Sequence, residues 1–259
     1  MSGLDQQRSD LLAFTLRLGD DALVLGQRLA EWCSRAPFLE EDLALANTAL
    51  DFLGRARFLY QYAAEIEGAG RTEDDFAYTR DAGAYRNLLV LELPRGDFAF
   101  TMARQFCVDV FDVHYLGALQ GSADRRLAAI AGKGLKEAQY HLKRSRAWVL
   151  RLGDGTAESR RRLQQALGSL MPYLGELFEL DALERRLVDG AVAPDRADLH
   201  GSWSAEVGAT LEQATVGWPE APAQPEQRRG GRAGQHTPHL AELLDELQAV
   251  TRALPGRTW

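Results

Sequence analysis

Apolar residues recur along this chain at helical spacing. Leu12, Leu16, Leu23, Leu25, Leu29 and Trp32 mark one stripe between Leu11 and Trp32, the signature of a helix buried along one side. Pro37 ends that region. A second helix is expected from about Glu40 to Glu67. The acids of "EED" at its start suit the positive end of the helix dipole, and Gly68 and Gly70 close it before the polar loop "GAGRTEDD". The third region is split. "AYRNLLVLEL" reads as a short helix stopped by Pro94 and Gly96, and "DFAFTMARQFCVDVFDVHYLGALQ" as a long one with Asp97 as its N-cap. A fourth helix is expected from about Asp124 to Leu152, ending at "GDG". A fifth runs from about Ala157 to Phe178, with Pro172 as a kink or break. A further helix covers Arg196 to Thr215, and "HLAELLDELQAVTRAL" forms a short last one. Between these two, "GWPEAPAQPEQRRGGRAGQHTP" is rich in Pro, Gly and Arg and reads as an extended arm or surface loop.

No period-two run and no hairpin dipeptide interrupts this pattern. Four long helices with short connections predict an all-α protein, an antiparallel four-helix bundle followed by additional C-terminal helices and the arm. A single domain over residues 1–259 is expected, with a core bundle at about 8–152 and extra helices and arm at about 157–259.

Composition narrows the function. The 259 residues are 46% hydrophobic and 26% charged, as in ordinary globular proteins. A net charge of −7 argues against nucleic acid and against a polybasic membrane anchor. No apolar run reaches the ~18 residues of a membrane span, and "MSGLDQQRSD" lacks the apolar core of a signal peptide. A cytoplasmic location is therefore expected. Cys33 and Cys107 fit no CxxC spacing and are expected to be reduced and buried.

The stretch "KEAQYH", Lys136 to His141, raises the question of a metal. Di-iron carboxylate bundles use Glu-x-x-His on two helices and one further carboxylate from each of the other two. Glu137 and His141 are four apart, and the residue three after Glu137 is Tyr140. Three residues before His114, His141, His200, His236 and His239 stand Phe111, Ala138, Ala197, Ala233 and His236, so neither Glu-x-x-His nor Asp-x-x-His occurs. Each of the four long helices nevertheless carries an acid in an apolar stretch: Asp20, Asp51, Asp109 and Glu137. On solvated faces they need no partner. Buried, they need positive charge in place of a metal. Lys133, one turn before Glu137, is the expected internal counter-charge, with Arg104 near Asp109 as second choice. The group would then be a pseudo-metal-site charge cluster. No nucleophile elbow, P-loop or dinucleotide fingerprint is present. "GGRAG" follows no strand, and the histidines of "HTPH" lack the carboxylate or cysteine partners of a metal site.

Four stretches together resemble a known family: "TLRLGDDALVLGQRLAEW", "LALANTALDFLGRARFLYQYAAE", "KEAQYHLKRSRAWVLRLGDGT" and "GGRAGQHTPHLAELLDELQ". The chain is similar to the C subunits of bacterial ring 1,2-phenylacetyl-CoA epoxidases, from about Thr15 to Trp259 and in the family's order. The resemblance implies a ferritin-like bundle without iron, with no catalytic, cofactor-binding or metal residue on this chain. It implies a partner A subunit that holds the di-iron centre and binds phenylacetyl-CoA. A B subunit and a reductase carrying FAD and an iron–sulfur centre, fed by NADPH, complete the complex. Trp203, Trp218 and the Pro-rich arm are then candidates for partner contact. Two other readings differ in class: a self-sufficient di-iron oxygenase using Asp51, Glu137 and His141, and a helical binding module with no link to oxygenation.

Overall fold

A computed structural model describes residues 3–218 and 227–254, and among these the regular structure is entirely helical. The all-α class expected from the spacing holds. The elements are α1 (Gly3–Ala30), α2 (Leu39–Glu67), α3 (Glu73–Tyr78), α4 (Leu89–Glu92), α5 (Phe98–Leu119), α6 (Arg125–Asp154), α7 (Ala157–Leu174), α8 (Ala182–Asp189), α9 (His200–Gln213), α10 (Pro238–Leu247) and α11 (Ala249–Ala253). They fall into two compact units, Met1–Pro94 with Arg229–Trp259, and Arg95–Arg228.

In the first unit α1 and α2 lie antiparallel. Arg8 Nε donates to the Ile66 carbonyl at 2.7 Å, and the Tyr60 hydroxyl donates to Asp20 at 2.7 Å. Gly19 lets the helices meet closely, because a Cβ there would stand 2.6 Å from the Tyr60 ring. α1 and α2 pack on each other, and Phe14, Leu25 and Leu29 of α1 and Leu45, Phe52 and Leu59 of α2 are all at most 2% exposed; each such burial contributes roughly 1.5–3 kcal/mol. Gly68 ends α2 with φ +65°, a left-handed cap open to glycine at little cost.

"AYRNLLVLEL" departs from expectation: only the single turn α4 is α-helical, and Tyr85 and Leu88 are extended. The cause lies in α1. Asp20 takes the backbone N–H of Arg86 at 2.8 Å, and Asp21 takes that of Leu88 at 2.9 Å. These carboxylates compete with the helical ladder for the same donors. The loop "GAGRTEDD" contains the start of α3, nucleated by a capping box between Thr72 and Asp75.

In the second unit α5 and α6 are antiparallel, with Phe98 edge-on to Trp148 at 4.8 Å and Ser145 bonded to Asp109. Every residue from Thr101 to Phe111 is buried, so α5 is the central helix of the kind that is apolar nearly all round. Asp97 caps it, accepting from Phe100 N at 2.8 Å. Pro172 sits in the last turn of α7, which passes into a 3-10 turn at Gly175–Phe178. α8 was not foreseen; Asp181 caps it. Both α7 and α9 pack on α5.

Candidate functional site

The strongest concentration of buried charge is in the first unit. Asp20 is 0% exposed and surrounded by donors. Tyr60 Oη lies 2.7 Å from Oδ1, Arg86 N lies 2.8 Å from Oδ2, and Arg80 reaches both oxygens, Oδ2 at 3.2 Å. Arg80 also donates from Nε to the Phe76 carbonyl at 2.6 Å and lies over the Tyr85 ring at 4.2 Å. Burial, then the Asp20 charge, push the Tyr60 hydroxyl well above the ordinary phenol range, so it remains a donor. Beside this group Asp21 receives both Nη atoms of Arg232, at 3.0 and 2.7 Å.

A second carboxylate, Glu92, is equally buried. Its Oε1 accepts from Thr237 N at 2.6 Å. Its Oε2 accepts from Asn87 Nδ2 at 2.9 Å and lies 2.8 Å from His236 Nδ1. His236 Nε2 is 3.0 Å from the Tyr85 carbonyl, an acceptor, and so carries a hydrogen. Glu92 already accepts from two other donors, which favours a second hydrogen on Nδ1. Burial opposes the charge on His236, but the Glu92 bond and the Tyr85 carbonyl outweigh it and hold the imidazole above the usual histidine value. Arg28 completes the latch, donating to the main-chain carbonyls of Glu92 and His239 at 3.0 and 2.7 Å.

The second unit carries smaller networks. Asp109 accepts from Gln105 Nε2 at 2.6 Å and Ser145 Oγ at 2.7 Å. Burial pushes its carboxyl well above the usual range, against the pull of Ser145 and Gln105. Glu206 is held by His114 at 2.9 Å and by Arg146, and Glu184 by Arg196 at 2.5 Å.

Two comparisons with known proteins bear on this arrangement. Residues 2–259 match the family model described as phenylacetic acid catabolic protein. The chain is also 47% identical over 251 residues to a protein of Escherichia coli (strain K12) named as the C subunit of 1,2-phenylacetyl-CoA epoxidase, covering 97% of this chain and all of that one.

The chain belongs to the phenylacetic acid catabolic protein family.

Di-iron chemistry is the natural question for a helical member of this family, and the donor set does not fit it. The oxygens of Asp20 are occupied by an arginine, a tyrosine and a backbone amide. The oxygens of Asp109 are likewise occupied, by Gln105 and Ser145. Within neither unit do three His, Cys, Asp or Glu residues group as metal ligands, among the described residues.

The residues singled out from sequence fall in different places. Asp20 and Asp109 are fully buried, Asp51 and Glu137 half-buried. Lys133 pairs with Glu137 at 3.7 Å, but its side chain is 59% exposed. The expectation of Lys133 as an internal counter-charge is corrected: its flexible stem carries the ammonium into water, where hydration outweighs a single carboxylate. The buried cation beside Asp20 is Arg80. Arg104 is buried on α5 with its guanidinium over the Phe100 ring at 5.9 Å. In "KEAQYH", His141 is buried and Tyr140 is 60% exposed.

Trp203 is also corrected as a partner contact. It is 3% exposed, and its indole donates to the Cys107 carbonyl at 2.8 Å. Trp218 is 39% exposed, with its ring 6.1 Å from Trp203. Residues 219–226 of the arm lie outside the described residues. The part from Gly230 onward is no free arm, since Arg232 and His236 are anchored in the first unit. Burial lifts the Cys107 thiol to about 12, while Cys33 is exposed in the turn after α1, not buried as expected. No described helix is long and apolar enough to cross a membrane.

Arg80, Glu92 and Arg232 were missed. His236 was considered only as a metal ligand without a carboxylate partner, and that is corrected: Glu92, in the leucine-rich turn α4, lies 2.8 Å from its Nδ1.

Proposed function

We propose that this chain is the structural, non-catalytic member of a multicomponent oxygenase that epoxidises the ring of phenylacetyl-CoA in phenylacetate breakdown. It pairs with a separate A subunit that carries the di-iron centre. The B subunit and an NADPH-dependent reductase with FAD and an iron–sulfur centre complete the assembly. The observation that carries the reading is the 47% identity along the whole length of a protein named as the C subunit of that enzyme. The buried chemistry supports its non-catalytic part. Asp20 is paired with Arg80, Glu92 is hydrogen-bonded to His236, and burial holds Asp109 toward its neutral form. Such a chain keeps a rigid helical scaffold while leaving the oxygen chemistry to its partner.

The test is co-expression with the A subunit, followed by iron analysis of the complex and of each separated chain after anaerobic ferrous reconstitution. A stable complex is expected, with iron on the A subunit and epoxidation only by the assembly. Stoichiometric iron on this chain, or epoxidation without the A subunit, would overturn the reading.

A further inference from the structure

One seam runs along α2 in alternating steps of three and four residues: Glu40, Leu43, Asn47, Leu50, Gly54 and Arg57. At ~100° per residue these positions fall within about 100° of one another, and their mean spacing is that of a coiled-coil seam. Five of the six are exposed, Leu43 at 58% and Leu50 at 64%. The sixth, Gly54, is a hole, since a Cβ there would meet no atom within 4 Å. Glycine in the middle of a helix weakens it; here it leaves room for a side chain from outside. Leu39, 72% exposed, and Phe58, 38% exposed, flank the seam.

The seam complements itself in one arrangement. An antiparallel two-fold that lays Leu43 into the hole at Gly54 also sets Leu39 against Phe58, Glu40 against Arg57 and Leu50 against Asn47. Symmetry makes each match twice. The first three are matches of size, apolar character and charge. The fourth places one polar residue in the seam, which is a device that fixes register. A shift by one heptad in either direction removes the Glu40–Arg57 pair, and a parallel arrangement sets Glu40 on Glu40 and glycine hole on glycine hole. Both charges are available. The Glu40 side chain bonds no described residue. Arg57 is 67% exposed and holds Glu73 through Nε at 3.1 Å, which leaves both Nη groups for a second carboxylate. Asp42 lies off the seam and serves its own chain, accepting from the amides of Arg35 and Ala36.

We propose that this face of α2 docks a second copy of this chain, so that two copies join through antiparallel α2 helices. Leu39, Leu43, Leu50 and Phe58 offer roughly 400–500 Å² of apolar surface per copy. With Glu40, Asn47 and Arg57 the contact approaches the ~800 Å² per partner of a standard interface. The inference goes beyond the functional reading above and does not rest on it.

The experiment is sedimentation equilibrium of the full chain over a range of concentrations, with three variants. Gly54→Phe fills the hole. It meets nothing within its own chain, so the melting curve is expected to hold while the dimer is lost. Glu40→Arg sets arginine against Arg57 of the copy and is expected to weaken the dimer by at least about 10-fold. Glu40→Arg with Arg57→Glu reverses both charges and is expected to restore it. A wild type that stays monomeric, or a dimer that survives Gly54→Phe, overturns the proposal. A double reversal as weak as Glu40→Arg alone overturns the antiparallel register. If the wild type is monomeric and Gly54→Phe instead blocks binding of the A subunit, the occupant is a different chain and the proposal is likewise overturned.

Discussion

Replacing Arg80 by methionine removes the guanidinium beside Asp20 while keeping a long apolar stem. Asp20 is then a carboxylate at 0% exposure that retains the Tyr60 hydroxyl at 2.7 Å and the Arg86 amide at 2.8 Å. Truncating one partner of a buried ion pair costs about 3–5 kcal/mol, because the other charge is left without compensation. The two surviving donors place Arg80→Met near the lower end, about 3 kcal/mol. Lost with the charge are the bond from Nε to the Phe76 carbonyl and the packing over Tyr85. A domain stability of about 5–15 kcal/mol leaves the variant folded but weakened. Asp20→Asn in the same background removes the stranded charge. The asparagine oxygen accepts from Arg86 N, and its amide donates to the Tyr60 oxygen. The double variant is expected to be more stable than Arg80→Met alone, with a coupling energy of at least about 1.5 kcal/mol. Urea unfolding of the wild type, both single variants and the double variant measures this as a cycle. If Arg80→Met costs under about 1 kcal/mol and adds to Asp20→Asn within about 0.5 kcal/mol, Asp20 is not a buried anion held by Arg80.

Two further outcomes depend on pH. His236 is held above the ordinary histidine value by Glu92 and the Tyr85 carbonyl, with the Asp20 charge acting in the same direction. The folded state then binds more protons than the unfolded one, so this stabilisation is complete below about pH 6.5 and is lost as pH rises through the folded value. The slope reaches at most about 1.4 kcal/mol per pH unit, and unfolding of His236→Gln across about pH 6 to 9 should lack it; an unchanged slope would place the proton elsewhere. Asp109 is shifted the same way by burial, so it favours the fold at acid pH and opposes it once the unfolded carboxyl ionises near about pH 4. Asp109→Asn preserves the shape and can bond both Gln105 and Ser145, so it should match or exceed the wild type in stability at about pH 7. A loss above about 2 kcal/mol would mean that the native group is a charged and compensated carboxylate.

The helices were legible because their signals are local. The leucine spacing of α1, the Asp97 cap and the Gly68 stop each act within a few residues; the cap and the stop are found where expected, and of the stripe Leu23, Leu25 and Leu29 are buried while Leu12 and Leu16 are half-buried. The absence of Glu-x-x-His was legible for the same reason. Partners of buried charge were not. Arg80 is 60 residues from Asp20, Arg232 is 211 from Asp21, and His236 is 144 from Glu92. No periodicity links such pairs. Lys133 was chosen because helical geometry links i to i+4, and it does meet Glu137, but adjacency on a helix does not decide whether the pair faces water. Trp203 was read by residue type alone, and its indole N–H, needing an acceptor once buried, bonds the Cys107 carbonyl instead.

An acid inside an apolar helical stretch has three physical explanations: a solvated face, a metal ligand or a paired buried charge. The first unit adds a fourth role to the third. Asp20 holds the amide of Arg86, Asp21 that of Leu88, and Glu92 that of Thr237. Each carboxylate therefore satisfies a backbone donor in a segment that is not helical. Those donors would otherwise be buried without partners at about 1–3 kcal/mol each. The arginines and the histidine complete the same arrangement by bonding the carbonyls of Arg86, Tyr85 and His239. Extended chain can thus cross a helical interior only where charged side chains bind its backbone. This accounts for "AYRNLLVLEL" and "GGRAGQHTPH" being irregular and anchored at once. It also gives Asp20, Asp21 and Glu92 a structural reason that is independent of any catalytic need. Substituting them should weaken the first unit, read as a lower urea midpoint of unfolding.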